Sequence, residues 1–214
     1  MRVGTDAVLL GAWARMPVGQ RVLDIGTGCG IVALMMAQRY SQAQVWGIDV
    51  DEASVDEAQE NAADSPFADR ITMQMADVRE WRPEATFDAI VCNPPFFTED
   101  TLPPDERRSR ARNASALSFA QLVKCVDALL SPQGEFSVVI PTWEVEKFVA
   151  ECAFKGLYLC RRTDVRTVPR KAPKRTLLAF TRKAQPVVTD TLALMDADGS
   201  RSGDYCSLAS AFYL

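Results

Sequence analysis

Val22-Leu23-Asp24-Ile25-Gly26-Thr27-Gly28-Cys29-Gly30 decides the fold. An apolar run ends in an acid, three glycines follow at alternate positions, and Ile31-Val32-Ala33-Leu34-Met35-Met36 continues as an apolar segment. That order spells a strand, a tight turn and the start of a helix. Glycine lets the backbone turn sharply and admits a ligand with no Cβ in the way. The helix that follows offers unpaired N–H groups to a polar ligand. The spacing G-x-G-x-G lacks the third glycine of the dinucleotide fingerprint G-x-G-x-x-G. By itself the turn indicates a nucleotide-like cofactor in an α/β sheet and leaves its identity open.

Outward from the turn, strands and helices alternate. Val3 to Met16 reads as a helix with Thr5-Asp6 as its cap, broken at Pro17-Val18-Gly19. Strands are expected at Arg21–Asp24, Gln44–Val50, Ile71–Met75 and Phe87–Cys92, with helices at Ile31–Arg39 and Glu52–Ala63, the latter capped by Asp51. The stretch 97–115 is polar, carries Pro103-Pro104 and four arginines, and is expected to be a long loop. Leu117–Leu130 reads as an amphipathic helix closed by Pro132-Gln133-Gly134, followed by a strand at Glu135–Ile140 and a helix at Trp143–Ala153. Strands at Leu157–Val165 and Thr176–Thr181 flank a basic loop, Pro169 to Arg175. In the tail, Asp196–Gly203 looks like a turn and Tyr205–Leu214 a short helix. The fold class is therefore α/β: a mostly parallel seven-stranded sheet with helices on both faces and an antiparallel C-terminal edge hairpin, in one domain over 1–214.

Composition narrows the class. With 214 residues, 48% hydrophobic and 24% charged, the chain suits one globular domain. No apolar run reaches the length of a membrane span and no signal peptide is visible, so a cytoplasmic protein with no membrane partner is expected. Six cysteines without a C-x-x-C pair, and no histidine, argue for reduced thiols and against a metal site. The missing histidine also excludes Ser-His-Asp and Cys-His catalysis. The net charge of −4 hides an asymmetry: residues 1–100 carry 7 basic and 16 acidic residues, whereas 155–183 carry 10 basic residues and one acid, Asp164. A basic block on an acidic chain suggests an anionic partner.

Ligands of parallel sheets lie at the carboxyl ends of the strands. Here those ends hold Asp24 with its glycines, Asp49, Asp77 and Asn93. An acid about 20 residues beyond the glycine turn is the expected acceptor for ribose hydroxyls, and Asp77 suits an adenine amino group. Asn93-Pro94-Pro95-Phe96 discriminates among reactions. With the glycine turn, it resembles class I S-adenosylmethionine-dependent methyltransferases that modify a planar nitrogen: adenine N6, cytosine N4, guanine N2 or a glutamine amide. Such a nitrogen is a poor nucleophile because its lone pair is delocalised. The Asn93 side-chain oxygen and the Pro94 carbonyl would accept its hydrogens, the two prolines would fix where that carbonyl points, and Phe96 would stack on an extruded base.

A longer likeness narrows the substrate. Arg2-Val3-Gly4-Thr5-Asp6-Ala7-Val8-Leu9-Leu10-Gly11-Ala12-Trp13, Arg161-Arg162-Thr163-Asp164-Val165 and Ala211-Phe212-Tyr213-Leu214 resemble bacterial tRNA adenine N6-methyltransferases acting on adenine 37 of a valine tRNA. More distantly the chain is similar to protein glutamine methyltransferases. The resemblance implies a Rossmann-like fold and S-adenosylmethionine as methyl donor, with S-adenosylhomocysteine as product. It implies cofactor contacts from Thr5, Asp6, Asp24, Gly26, Thr27, Gly28, Gly30, Asp49, Val50, Asp77, Val78 and Asn93, and a tRNA substrate with no obligate protein partner. Arg107, Arg108, Arg110, Arg112, Arg170, Lys171, Lys174 and Arg175 are the expected RNA contacts. Members usually carry a short segment ahead of Val-Gly-Thr-Asp, so such a segment is expected to be missing here. The alternatives are a protein glutamine N5-methyltransferase and an RNA guanine N2-methyltransferase.

Overall fold

The computed structural model describes residues 4–94 and 117–212. The elements in chain order are α1 (Thr5–Trp13), β1 (Arg21–Ile25), α2 (Ile31–Arg39), β2 (Gln44–Asp49), α3 (Glu52–Ala63), β3 (Ile71–Met75), β4 (Phe87–Cys92), α4 (Phe119–Leu129), β5 (Leu130–Pro141), α5 (Val145–Phe154), β6 (Tyr158–Arg166), β7 (Arg175–Thr181), β8 (Val188–Ala193) and α6 (Gly203–Ala209). They form one sheet in the order β3-β2-β1-β4-β5-β7-β6-β8. The β3-β2-β1-β4-β5 half is parallel throughout, β7 runs antiparallel to both β5 and β6, and β8 is parallel to β6.

The sheet separates two apolar layers, as a parallel sheet covered on both faces must. Val22, Val45, Met73, Ala89, Val91 and Val139 face α1, α2, α3 and α6. Leu23, Ile25, Ile48, Ile90, Cys92, Phe136, Val138 and Ile140 face α4 and α5. The alternation Val22/Leu23 and Val138/Val139/Ile140 is the period-two signature of strands buried on both sides. Helix α4 starts with a full capping box between Ser118 and Gln121.

Four expectations are corrected. The sheet has eight strands: Val188–Ala193 pairs with β6, so the β6–β7 hairpin does not take the edge. This strand hides from sequence reading because its first four residues are exposed and mostly polar. Pro132-Gln133-Gly134 does not end an element. It lies inside β5, where the register against β4 jumps from Phe87↔Leu130 to Ala89↔Glu135, a bulge that absorbs the turn-forming residues. Thr5 and Asp6 do not cap α1: Gly4 does, its carbonyl accepting Ala7 N–H at 3.1 Å, while Asp6 pairs with Arg175 at 2.8 Å. Trp143 precedes α5, in a short 3₁₀ turn spanning Thr142–Glu144.

Helix α1 is bound to the far half of the sheet by a buried polar cluster. The Trp13 indole N–H donates to Thr163 Oγ1 at 2.8 Å, and the Arg161 guanidinium stacks on the Trp13 ring at 3.5 Å while donating to the Trp13 carbonyl at 3.1 Å. Arg161 also donates to Glu135 at 3.2 Å, with both side chains 9% exposed. Burial pushes Glu135 up and Arg161 down, and each partner's charge opposes that drift. Removing one member of such a pair strands a buried charge, at a cost of about 3–5 kcal/mol. Glu135→Ala is expected to lose stability on that scale in urea unfolding, and Glu135→Leu combined with Arg161→Met to recover most of it. A loss in the double variant equal to the sum of the losses of Glu135→Leu and Arg161→Met alone would mean the pair contributes no coupling.

Candidate active site

Register brings the chemistry-bearing residues level. Ile25 pairs with Ile48 on one side and Cys92 on the other, so Gly26, Asp49 and Asn93 leave three adjacent strands at the same height. Adjacent strands are about 4.8 Å apart. On β3, Met75 pairs with Asp49, and Ala76 N–H donates to the Asp49 carbonyl at 2.8 Å, which puts Asp77 just beyond.

The glycine turn is held from below. Gly26, Gly28 and Gly30 have φ of 70°, 55° and 82°, a region L side chains rarely enter. The N–H groups of Gly26 and Thr27 both donate to the Ile48 carbonyl, at 2.9 and 3.0 Å, and Gly28 N–H donates to Asp49 Oδ2 at 3.0 Å. Gly30 N–H closes on the Thr27 carbonyl at 2.9 Å. With these four donors engaged, the turn is no anion nest of the kind that cradles a pyrophosphate. A Cβ at Gly26 would meet nothing within 4 Å, so the turn presents backbone to open space. At Gly47, by contrast, a Cβ would lie 2.7 Å from Thr27 Oγ1, which explains a glycine inside β2. The residues present fit a cofactor carrying positive charge and no phosphate. Gly26–Gly30 could pack against its amino-acid end, and Asp49 could accept ribose hydroxyls with lone pairs left over while its carboxylate favours a sulfonium electrostatically.

The carboxylates differ in state. Asp24 is fully buried and receives Thr27 Oγ1 at 2.7 Å and Ala33 N–H at 3.2 Å on one oxygen. Burial pushes its carboxyl up to about 7, the two hydrogen bonds oppose that rise, and neighbouring Asp49 adds to it. Asp24 therefore organises the turn from within, and Thr27 turns inward to it. Asp77 is bound to the Arg79 side chain at 2.9 Å and held below the usual carboxylate range by that contact. Asn93 is half-buried and Pro94 buried at the end of β4. Val50 is 46% exposed beside Asp49, and Met75 57% exposed at the end of β3, leaving apolar surface at the rim. Val78 lies in the core beneath α4. Asp6 reaches the same end of the sheet, since its partner Arg175 pairs with Pro141 at the end of β5; Thr5 is exposed beside it. Pro95, Phe96, Arg107, Arg108, Arg110 and Arg112 lie outside the described residues.

Seven of the ten basic residues of the block fall into two groups. Arg161, Arg162, Arg175 and Arg182 pair with Glu135, Asp164, Asp6 and Asp127. Arg170, Lys171 and Lys174 are exposed on the loop between β6 and β7. Sequence reading misses Asn61, whose amide donates to the Cys29 carbonyl at 2.8 Å. Its one visible signal is an asparagine in an alanine- and glutamate-rich helix. Of the cysteines, Cys29, Cys92, Cys152 and Cys160 are buried, Cys125 is half-buried and Cys206 exposed. Among the described residues no acid–cysteine cluster could hold a metal, and no helix is long and apolar enough to cross a membrane.

Fold and strand-end crevice together define a class I, Rossmann-like methyltransferase. Among solved structures, a predicted O-methyltransferase from Agrobacterium tumefaciens shares the fold at a TM-score of 0.72 and 18% identity, over 97% of this chain and 96% of its own. The glycopeptide N-methyltransferase MtfA, complexed with (S)-adenosyl-L-methionine, gives 0.58 and 12% over 78% and 89%. A tRNA1(Val) (adenine(37)-N6)-methyltransferase from Phocaeicola vulgatus is 41% identical over 214 residues, covering 100% of this chain and 91% of its own length. Its counterpart from Porphyromonas gingivalis is 42% identical over 227 residues, covering 100% and 89%, and that from Shewanella loihica 36% over 226 residues, covering 100% and 93%. The methyltransferase small domain model matches residues 4–163, and the chain belongs to that family and, within it, to the tRNA1(Val) (adenine(37)-N6)-methyltransferases.

The state of Asp24 makes a pH test available. The folded chain keeps a proton that an unfolded aspartate loses near pH 4. Its contribution to stability is therefore complete below about pH 4 and is lost as pH rises through about 7. The stability difference between wild type and Asp24→Asn, from denaturant titrations at stepped pH, is expected to move against wild type across that window and then level off. A pH-independent difference would mean Asp24 is ionised throughout.

Proposed function

We propose that this chain transfers the methyl group of S-adenosylmethionine to the exocyclic N6 of an adenine in tRNA, adenine 37 of a valine tRNA, with Asn93 as the residue that prepares the nitrogen. The observation that carries this reading is Asn93 level with Gly26 and Asp49, one strand from the turn that fits the cofactor. The bound cofactor supplies an electrophilic methyl group on a sulfonium, together with the leaving group. The protein's task is then to orient, desolvate and localise a lone pair. Asn93 Oδ1 and the Pro94 carbonyl accept the two N6 hydrogens, which draws the nitrogen towards a tetrahedral geometry and lifts its lone pair out of conjugation. As the N–C bond forms, the nitrogen becomes cationic and then releases one proton to water; no strong base is needed. Asp49 is assigned to the ribose, Asp77 to the adenine end with Val50 alongside, and Phe96 to stacking on the extruded base. The relatives' names support tRNA as the substrate class, as does a flanking loop with three exposed cations.

Incubation with labelled S-adenosylmethionine and total tRNA, followed by nucleoside analysis, is expected to yield N6-methyladenosine. N2-methylguanosine, or label in a protein glutamine instead, would overturn the substrate. Asn93→Ala is expected to lower kcat at least a hundredfold while S-adenosylmethionine affinity, read by equilibrium dialysis, stays within a few fold. Retained turnover would remove Asn93 from the mechanism.

The exposed loop makes a separate prediction. If Arg170, Lys171 and Lys174 neutralise phosphates, each contributes about one unit to the slope of log affinity against log salt. Lys171→Ala combined with Lys174→Ala is expected to flatten that slope by roughly 1–2 units. An unchanged slope would move the phosphate contacts elsewhere.

A further inference from the structure

Four tryptophans are present, and three are used inside the fold. Trp13 carries Arg161 on its ring, Trp46 meets Phe87 edge-on at 5.5 Å, and Trp81 stacks on Phe87 at 5.8 Å. The fourth, Trp143, is 60% exposed and makes no ring contact among the described residues. An indole carries a large apolar face whose exposure is unfavourable, and its position is not arbitrary. Cys92 pairs with Val138, so β5 passes the level of Asn93 near Val139, runs on to Pro141, and delivers Trp143 just past the strand end. That is the end of the sheet at which the crevice lies, roughly 10–15 Å beyond Asn93 at about 3.3 Å per residue.

Its neighbour ties it to the basic loop. Thr142 N–H donates to the Lys174 carbonyl at 3.2 Å, and Thr176 Oγ1 donates to Thr142 Oγ1 at 3.2 Å. Trp143 therefore stands beside the loop that exposes Arg170, Lys171 and Lys174. An open aromatic face next to a row of cations is the arrangement that holds single-stranded nucleic acid: cations track the backbone while a ring stacks on a base. We infer that Trp143 stacks on an unpaired base flanking the target adenine, setting the register of the RNA strand in the crevice. This rests on the tRNA reading above and adds to it a contact that neither the glycine turn nor the Asn-Pro-Pro-Phe segment supplies.

The test uses the full chain with tRNA and with a hairpin carrying its anticodon loop. Trp143→Ala is expected to raise the KM for tRNA about tenfold or more, the range of one lost base–aromatic stack. Trp143→Phe should restore it to within about threefold, with kcat and the KM for S-adenosylmethionine nearly unchanged in both. Titration with the hairpin should quench tryptophan fluorescence in wild type and much less in Trp143→Phe, a readout that does not need turnover. An unaltered tRNA KM in Trp143→Ala, or a parallel rise in the KM for S-adenosylmethionine, would overturn the inference. Quenching without methyl transfer would leave the contact standing and overturn the reaction. Methylation of tRNA that ignores Trp143 would overturn the contact alone.

Discussion

The carbonyl of Ile48 accepts the N–H groups of both Gly26 and Thr27, and much of the site follows from that shared acceptor. It fixes the glycine turn to the neighbouring strand rather than to its own helix, and it removes donors that would otherwise seek a phosphate. Asp49, the next residue, takes a third N–H, from Gly28. One short piece of β2 therefore sets the shape of the turn and its electrostatic sign: few free donors, several carboxylates, and open space above Gly26. A dinucleotide fold uses the same strand–turn–helix to present N–H groups outwards. Here the groups point back into the sheet, which suits a cationic ligand.

The second organising feature is α1. The three stretches that resemble the tRNA methyltransferases are far apart in the chain, yet they meet on this helix. Trp13 joins Arg161 and Thr163, Asp6 joins Arg175, and Phe212 packs beside Val8, Ala12 and Met35. Close approach of α1 to α2 needs Gly11, where a Cβ would lie 2.6 Å from Met35 Sδ. What reads along the sequence as three separate signatures is in space one packing problem: how to fasten a short, apolar helix across a sheet while its first turn reaches the crevice.

The glycine turn, the first four strands and their acidic ends were legible because each rests on local information: alternation, turn chemistry and residue type over a few positions. The basic block was only partly legible. Arg161, Arg175 and Arg182 find their acids 26, 169 and 55 residues away, so a local charge count sees a patch where the fold makes pairs. The same limit hid β8, whose pairing with β6 supplies the order that its own weakly patterned sequence does not. It also hid the state of Asp24, since a strand-end acid reads alike whether solvated or, as here, 1% exposed. For the site, residue types and strand ends could be named in advance. Which acids were already engaged, by Arg79, by Gly28 or by Thr27, depended on contacts made after folding.

The fastening of α1 has a consequence for how the chain comes into being. Arg39 of α2, which donates to the Gly11 and Ala14 carbonyls, follows α1 closely. The polar groups that hold α1 to β5, β6 and β7, from Glu135 and Arg161 to Arg175, are synthesised more than a hundred residues after it. On a ribosome adding about 5–20 residues per second, that separation amounts to many seconds. During that interval α1 can lay its apolar residues on α2 and the first strands, but its attachment to the far half of the sheet is missing. The β1–α2–β2–α3–β3 portion, whose contacts are close in sequence, can form meanwhile. The crevice is thus assembled in two instalments. The half built round Gly26 and Asp49 comes early, and the half that brings Asp6 to the rim waits for the last strands. A nascent chain can form the turn that fits the cofactor well before it has the complete crevice.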